Sequence, residues 1–71
     1  MKNRIRERRE WLGISQVKLA ALTGFLACSS VSDFETGKRQ PWPRARRALS
    51  QVLGMAESEL FPELDSKNEQ Q

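Results

Sequence analysis

Histidine is absent from the 71 residues, and cysteine occurs once, as Cys28. Such a chain can form no internal disulfide and no triad built on histidine, and it has almost no means of holding zinc. No apolar run approaches the roughly 20 residues of a membrane helix, and the opening MKNRIRERRE lacks the apolar stretch of a secretory signal. There is no glycine-rich loop of the kind that cradles phosphate, and the carboxylates fall in ion-pair or tail positions, so neither an enzyme nor a cofactor or metal site is expected. Period-two alternation and internal repeats are missing too. These absences point to a soluble, reduced, intracellular protein with a single small core.

What the chain does have is charge, unevenly placed. Residues 1–10 carry five positive and two negative side chains, 11–37 one and two, 38–47 five and none, and 48–71 one and five. Basic segments thus flank a nearly neutral centre, and the acidic charge is displaced to the carboxyl end. That pattern suits a surface meeting a polyanion on one side, although charged helices are also commonly just solvated.

Apolar periodicity predicts an all-α bundle of four to five short helices. The first spans about 3–12, with Ile5, Trp11, Leu12 and Ile14 on its apolar side and Gly13 as its stop. Ser15 is positioned as an N-cap for a second helix that ends at Gly24 and buries Leu19, Ala20 and Leu22. A third begins at 28 or 29 and runs to 36, with Val31 and Phe34 inward and Ser29, Ser30, Ser32 and Asp33 mostly on the other side. Pro41 and Pro43 make KRQPWP a loop, and Pro43 suits the first position of a helix over 43–53 with Leu49, Val52 and Leu53 as its core stripe. A short helix over 57–61 offers Leu60 and Phe61 before Pro62. The domain is expected to span 1–64, with a disordered polar tail over 65–71.

GISQVKLAALTGF, then SSVSDFETGKRQP and LSQVLGMAESELFP, closely resemble the phage-repressor-like (Cro/C1, Xre) helix-turn-helix domain across residues 5 to about 62. The resemblance implies a lambda-repressor-like fold, bacterial or phage origin, a cytoplasmic location, and a transcriptional regulator. Such a regulator would be a repressor gripping a palindromic operator as a homodimer. It also implies an ion pair between Arg9 and Glu35 that locks the first helix onto the end of the third. Gln16 could extend its amide to a phosphate or brace a neighbour on the recognition helix, and phosphate contact is favoured. In one respect the chain departs from the family pattern: Gly24 and Glu35 are eleven apart where ten is usual, and Leu26 stands where a capping Ser or Thr is expected. Either Ala27 becomes the cap, or the helix starts later at Ser29 or Ser30, where Ser30 and Asp33 could form a capping box.

Within that framework the groove-facing positions are Cys28, Ser29, Ser30 and Asp33. Serine specifies bases weakly, Asp33 could accept from cytosine or pair with Lys38 or Arg39, and Cys28 could pack on a thymine methyl or simply be a small apolar residue. Phosphate contacts fall to Gln16, Lys18, Lys38, Arg39 and Arg44; of Arg46 and Arg47, at most one shares that face. Trp42 could lie against a sugar–phosphate edge or pack over its loop, and packing is favoured for it and for Trp11. Met55, Leu60, Phe61 and Leu64 are the candidate dimer contacts. The alternative is an antitoxin or phage accessory protein of the same fold, docking a protein through its acidic carboxyl end.

Overall fold

Residues 3–62 are described in this computed structural model, and five helices run through them: α1 (Ile5–Leu12), α2 (Gln16–Thr23), α3 (Cys28–Thr36), α4 (Pro43–Leu53) and α5 (Glu57–Leu60). No strand occurs among the described residues. Residues 63–71, which include Leu64 and the predicted polar tail, lie outside them. No single described helix is long and apolar enough to cross a membrane.

Local chemistry sets the helix limits. Asn3 turns the chain before α1 by accepting the Ile5 N–H on its side-chain oxygen (3.1 Å), so the helix starts two residues later than the periodicity suggests. Ser15 caps α2, its hydroxyl accepting the Lys18 N–H at 3.0 Å. Pro43 occupies the first turn of α4, where a missing N–H costs nothing. Each of the first four helices stops at a glycine with positive φ.

The core draws on every helix: Ile5 from α1, Leu19 and Ala20 from α2, Val31 and Phe34 from α3, Ala45, Leu49 and Leu53 from α4, and Leu60 with the adjoining Phe61. Each large side chain in this set contributes about 1.5–3 kcal/mol by leaving water. Leu26 and Ala45 join it without having been anticipated, and Val52 packs against it only partly buried.

Three expectations need correction. Leu22 is 49% exposed. At 3.6 residues per turn it falls to one side of Leu19 while Ala20 falls to the other, and the buried arc lies between Leu19 and Ala20. Trp11 is 72% exposed, because six residues from Ile5 is about a third of a turn away from the buried side of α1. The Arg8 guanidinium lies over its ring, 4.2 Å from the centroid, and leaves most of the side chain in solvent. Leu60 and Phe61, read as dimer contacts, are 0% and 1% exposed. The Arg4 N–H donates to the Leu60 carbonyl at 3.0 Å, which folds α5 back beside the start of α1 and commits both residues to the core of the single chain.

Candidate functional site

The α2 and α3 helices are joined by four residues, Gly24 to Ala27, and α3 leaves at 112° to α2. Both values fit a helix-turn-helix unit. Gly24 makes the turn possible with φ +87, a left-handed conformation that a Cβ would strain. Thr23 then staples it: its hydroxyl donates to the Ala20 carbonyl at 2.7 Å and accepts the Leu26 N–H at 3.2 Å. Leu26, held this way, drops into the core, while Phe25 is left on the outside.

The extra residue is thus absorbed in the turn. Helix α3 begins at Cys28 with Ala27 at the capping position, and no side chain caps it. The later start at Ser29 or Ser30 does not occur, and the Ser30–Asp33 capping box is therefore not formed; Ser30 is already inside the first turn.

On α3, Val31 and Phe34 are fully buried. Ser29 is exposed, and Cys28, Ser30 and Asp33 are half-buried. The helix therefore shows small polar groups at its first turn and no cation along its length. Cations stand at its two ends. Lys38 and Arg39 follow it directly, and their N–H groups both donate to the Asp33 carbonyl, at 2.9 and 3.3 Å. The Asp33 carboxylate lies 3.9 Å from the Arg39 guanidinium, so the ion-pair alternative for Asp33 is realised in this state. Arg39 also lies near the rings of Phe34 and Trp42, 5.8 and 6.0 Å from their centroids. Trp42 packs edge-on against Phe34 with centroids 5.7 Å apart and remains 40% exposed.

Arg44, from the first turn of α4, reaches the other end, where its guanidinium lies 4.2 Å over the Phe25 ring. Lys18 is exposed in the first turn of α2. Arg46 turns inward, donating to the Pro41 carbonyl at 3.1 Å and pairing with Glu57 at 3.5 Å; Arg47 is exposed.

Beneath this surface Glu35 gathers three elements. Arg9 donates from Nε to Glu35 Oε2 at 2.7 Å and from Nη2 to Oε1 at 3.3 Å, while its Nη1 holds the Ile14 carbonyl at 2.9 Å. Gln16 donates its amide to Glu35 Oε1 at 3.0 Å, so the bracing alternative for Gln16 is used here. The Arg9 and Glu35 side chains are 12% and 3% exposed. Donating to the Glu35 carboxylate raises the Arg9 pKa beyond its ordinary high value, against the opposing effect of burial. Asn3 adds a further tie, donating to the Phe34 carbonyl at 2.8 Å. Asn3 carries a local signal, as an Asn just before a helix, but its tie to Phe34 and the contact of Phe25 with Arg44 are distant along the chain and show no pattern in the sequence.

Residues 3–61 match the family model of a helix-turn-helix domain. A search of curated proteins found no match.

Proposed function

The chain belongs to the helix-turn-helix domain family, and on that premise we propose that it is a transcriptional regulator, a repressor that binds a palindromic operator as a homodimer. The observation supporting this reading is the disposition of charge about α3: a small-residue polar helix with cations at both of its ends. Base edges are read by short side chains while phosphates supply affinity, and separate residues can do the two tasks. In this reading Cys28, Ser29, Ser30 and Asp33 face the major groove. Lys18, Lys38, Arg39 and Arg44 hold phosphates, and Gln16 joins them by its remaining amide capacity while bracing Glu35. Asp33 exchanges its Arg39 partner for a cytosine amino group on binding, which releases Arg39 to the backbone.

Dimerisation follows from size, because one module this small buries too little DNA to bind tightly alone. With Leu60 and Phe61 committed to the core, the remaining candidate contacts are Met55, which is partly buried against the core, and Leu64. A gel-shift titration across salt tests the DNA reading. Four cationic contacts per chain, two chains per operator, predict roughly a ten-thousandfold loss of affinity between 50 and 200 mM salt; a nearly flat response sinks the phosphate argument.

A second reading, an antitoxin or accessory protein serving mainly a protein partner, draws on apolar side chains left outside the core: Trp11, Val17 and Leu22 are 72%, 64% and 49% exposed. W11S/V17S/L22S, which removes those exposed side chains, separates the two. Loss of a stoichiometric protein partner with DNA binding unchanged favours the second.

A further inference from the structure

We propose that Phe25 is a positioning residue: its ring holds the Arg44 guanidinium ready for a DNA phosphate beside the amino end of α3. The inference rests on the DNA-binding reading and adds a residue and a mechanism to it.

The contact starts in the four-residue α2–α3 turn. Of its four residues, Leu26 is buried at 8% exposure and Phe25 is exposed at 36%. An aromatic ring left outside a core has lost the usual reason for being there. What it meets is Arg44, whose Cζ stands 4.2 Å from the ring centroid, well inside the roughly 6 Å range of a cation–π contact.

Stacking on a ring face leaves the rim of the guanidinium available. Arginine has five N–H donors in one plane, so a ring below that plane does not compete with a phosphate at its edge. Arg44 differs here from the other arginines near the site. Arg39 is shared with Asp33, Arg46 is held by Pro41 and Glu57, and Arg9 is consumed by Glu35 and Ile14. Among the described residues no carboxylate pairs with Arg44. The group it does meet is the uncharged Phe25 ring, so among these residues a phosphate displaces no counter-ion of Arg44.

The benefit is entropic. A free arginine side chain loses rotamer freedom when it docks, a cost equivalent to about a two- to tenfold loss of affinity. A pre-stacked one has already lost much of it. Removing the ring should therefore weaken binding without removing the charge.

The test is a double-mutant cycle, using fluorescence anisotropy on a labelled 30-base-pair duplex of mixed sequence titrated with salt. R44A should weaken binding and lower the slope of log K against log salt by about 0.9, the amount for one phosphate. F25A should weaken binding about threefold with the slope unchanged, and should do nothing further in the R44A background. F25W, which keeps an aromatic face, should match the wild type, and F25L, which keeps bulk without one, should match F25A. This last pair carries the test if F25A proves too unstable. Equal affinity for F25L and wild type, or an F25L loss that persists in R44A, overturns the positioning role while leaving DNA binding intact. A wild-type chain that does not bind the duplex overturns both.

Discussion

At its carboxyl end α3 is tied to the rest of the molecule by side chains from two other helices and the amino-terminal segment. Glu35 takes hydrogen bonds from Arg9 of α1 and Gln16 of α2, Asn3 holds the Phe34 carbonyl, and Asp33 anchors the following loop through its carbonyl. At its amino end the helix has no side-chain cap, and the neighbouring groups are small: Ala27, Cys28, Ser29 and Ser30. One end is thus fixed by a nearly dry, charged knot, and the other presents bare first-turn N–H groups to whatever approaches. Fixing a helix at one end leaves the opposite end accessible without leaving it loose, because the buried Val31 and Phe34 continue the packing between them.

Breaking the knot should give the largest effect. Replacing Glu35 with alanine leaves the Arg9 guanidinium, 12% exposed, without its counter-ion, and should cost about 3–5 kcal/mol in urea unfolding. The double replacement R9M/E35L removes both charges and should cost clearly less; a double mutant as unstable as E35A would show that packing, not the stranded charge, dominates. Next, K38A/R39A attacks the loop that leaves the tied end. Two lost phosphate contacts per chain should lower the salt slope of DNA binding by about 1.8 for each bound chain, with unfolding free energy changed by under about 1 kcal/mol, since Arg39 and Asp33 are a half-exposed pair.

The open end is probed by A27S. Ala27 already has the extended backbone of a capping residue, φ −89 and ψ 157, so a hydroxyl there can accept a first-turn N–H. Stabilisation of about 1 kcal/mol is expected, a rise in melting temperature of roughly 4–8 °C for a domain of this size. No rise would mean that the longer turn holds residue 27 out of capping register. The smallest effect belongs to Arg6, whose pair with Glu10 spans 3.3 Å but sits in solvent, at 71% and 59% exposure. R6A should change stability by less than about 0.5 kcal/mol, which sets the scale against which the buried Arg9–Glu35 pair is judged.

Much of this contrast is legible in the sequence. The helix stops at Gly13, Gly24, Gly37 and Gly54, the Ser15 cap and the Pro43 start are local chemistry, and they fell where the residues suggest. So did the inward pair Val31 and Phe34. The failures share a cause. Hydrophobicity alone places Trp11, Leu22, Leu60 and Phe61, but whether an apolar side chain is buried depends on which neighbour arrives on its side of the helix. α5 folds back onto the first helix and takes Leu60 and Phe61 inward; among the described residues nothing buries the faces of α1 and α2 that carry Trp11 and Leu22, so these stay out.

By itself the sequence determined where helices begin and end, the separation of cations from the central helix, and membership of the helix-turn-helix family, because caps, stops, periodicity and charge are properties of neighbouring residues. Tertiary structure alone decided how the extra residue in the turn is spent, with Leu26 inward, Phe25 outward beneath Arg44, and Ala27 at the start of α3. Those outcomes depend on contacts between segments nearly twenty residues apart, and no local rule ranks a leucine over a phenylalanine for a cavity that exists only once the other helices have closed around it.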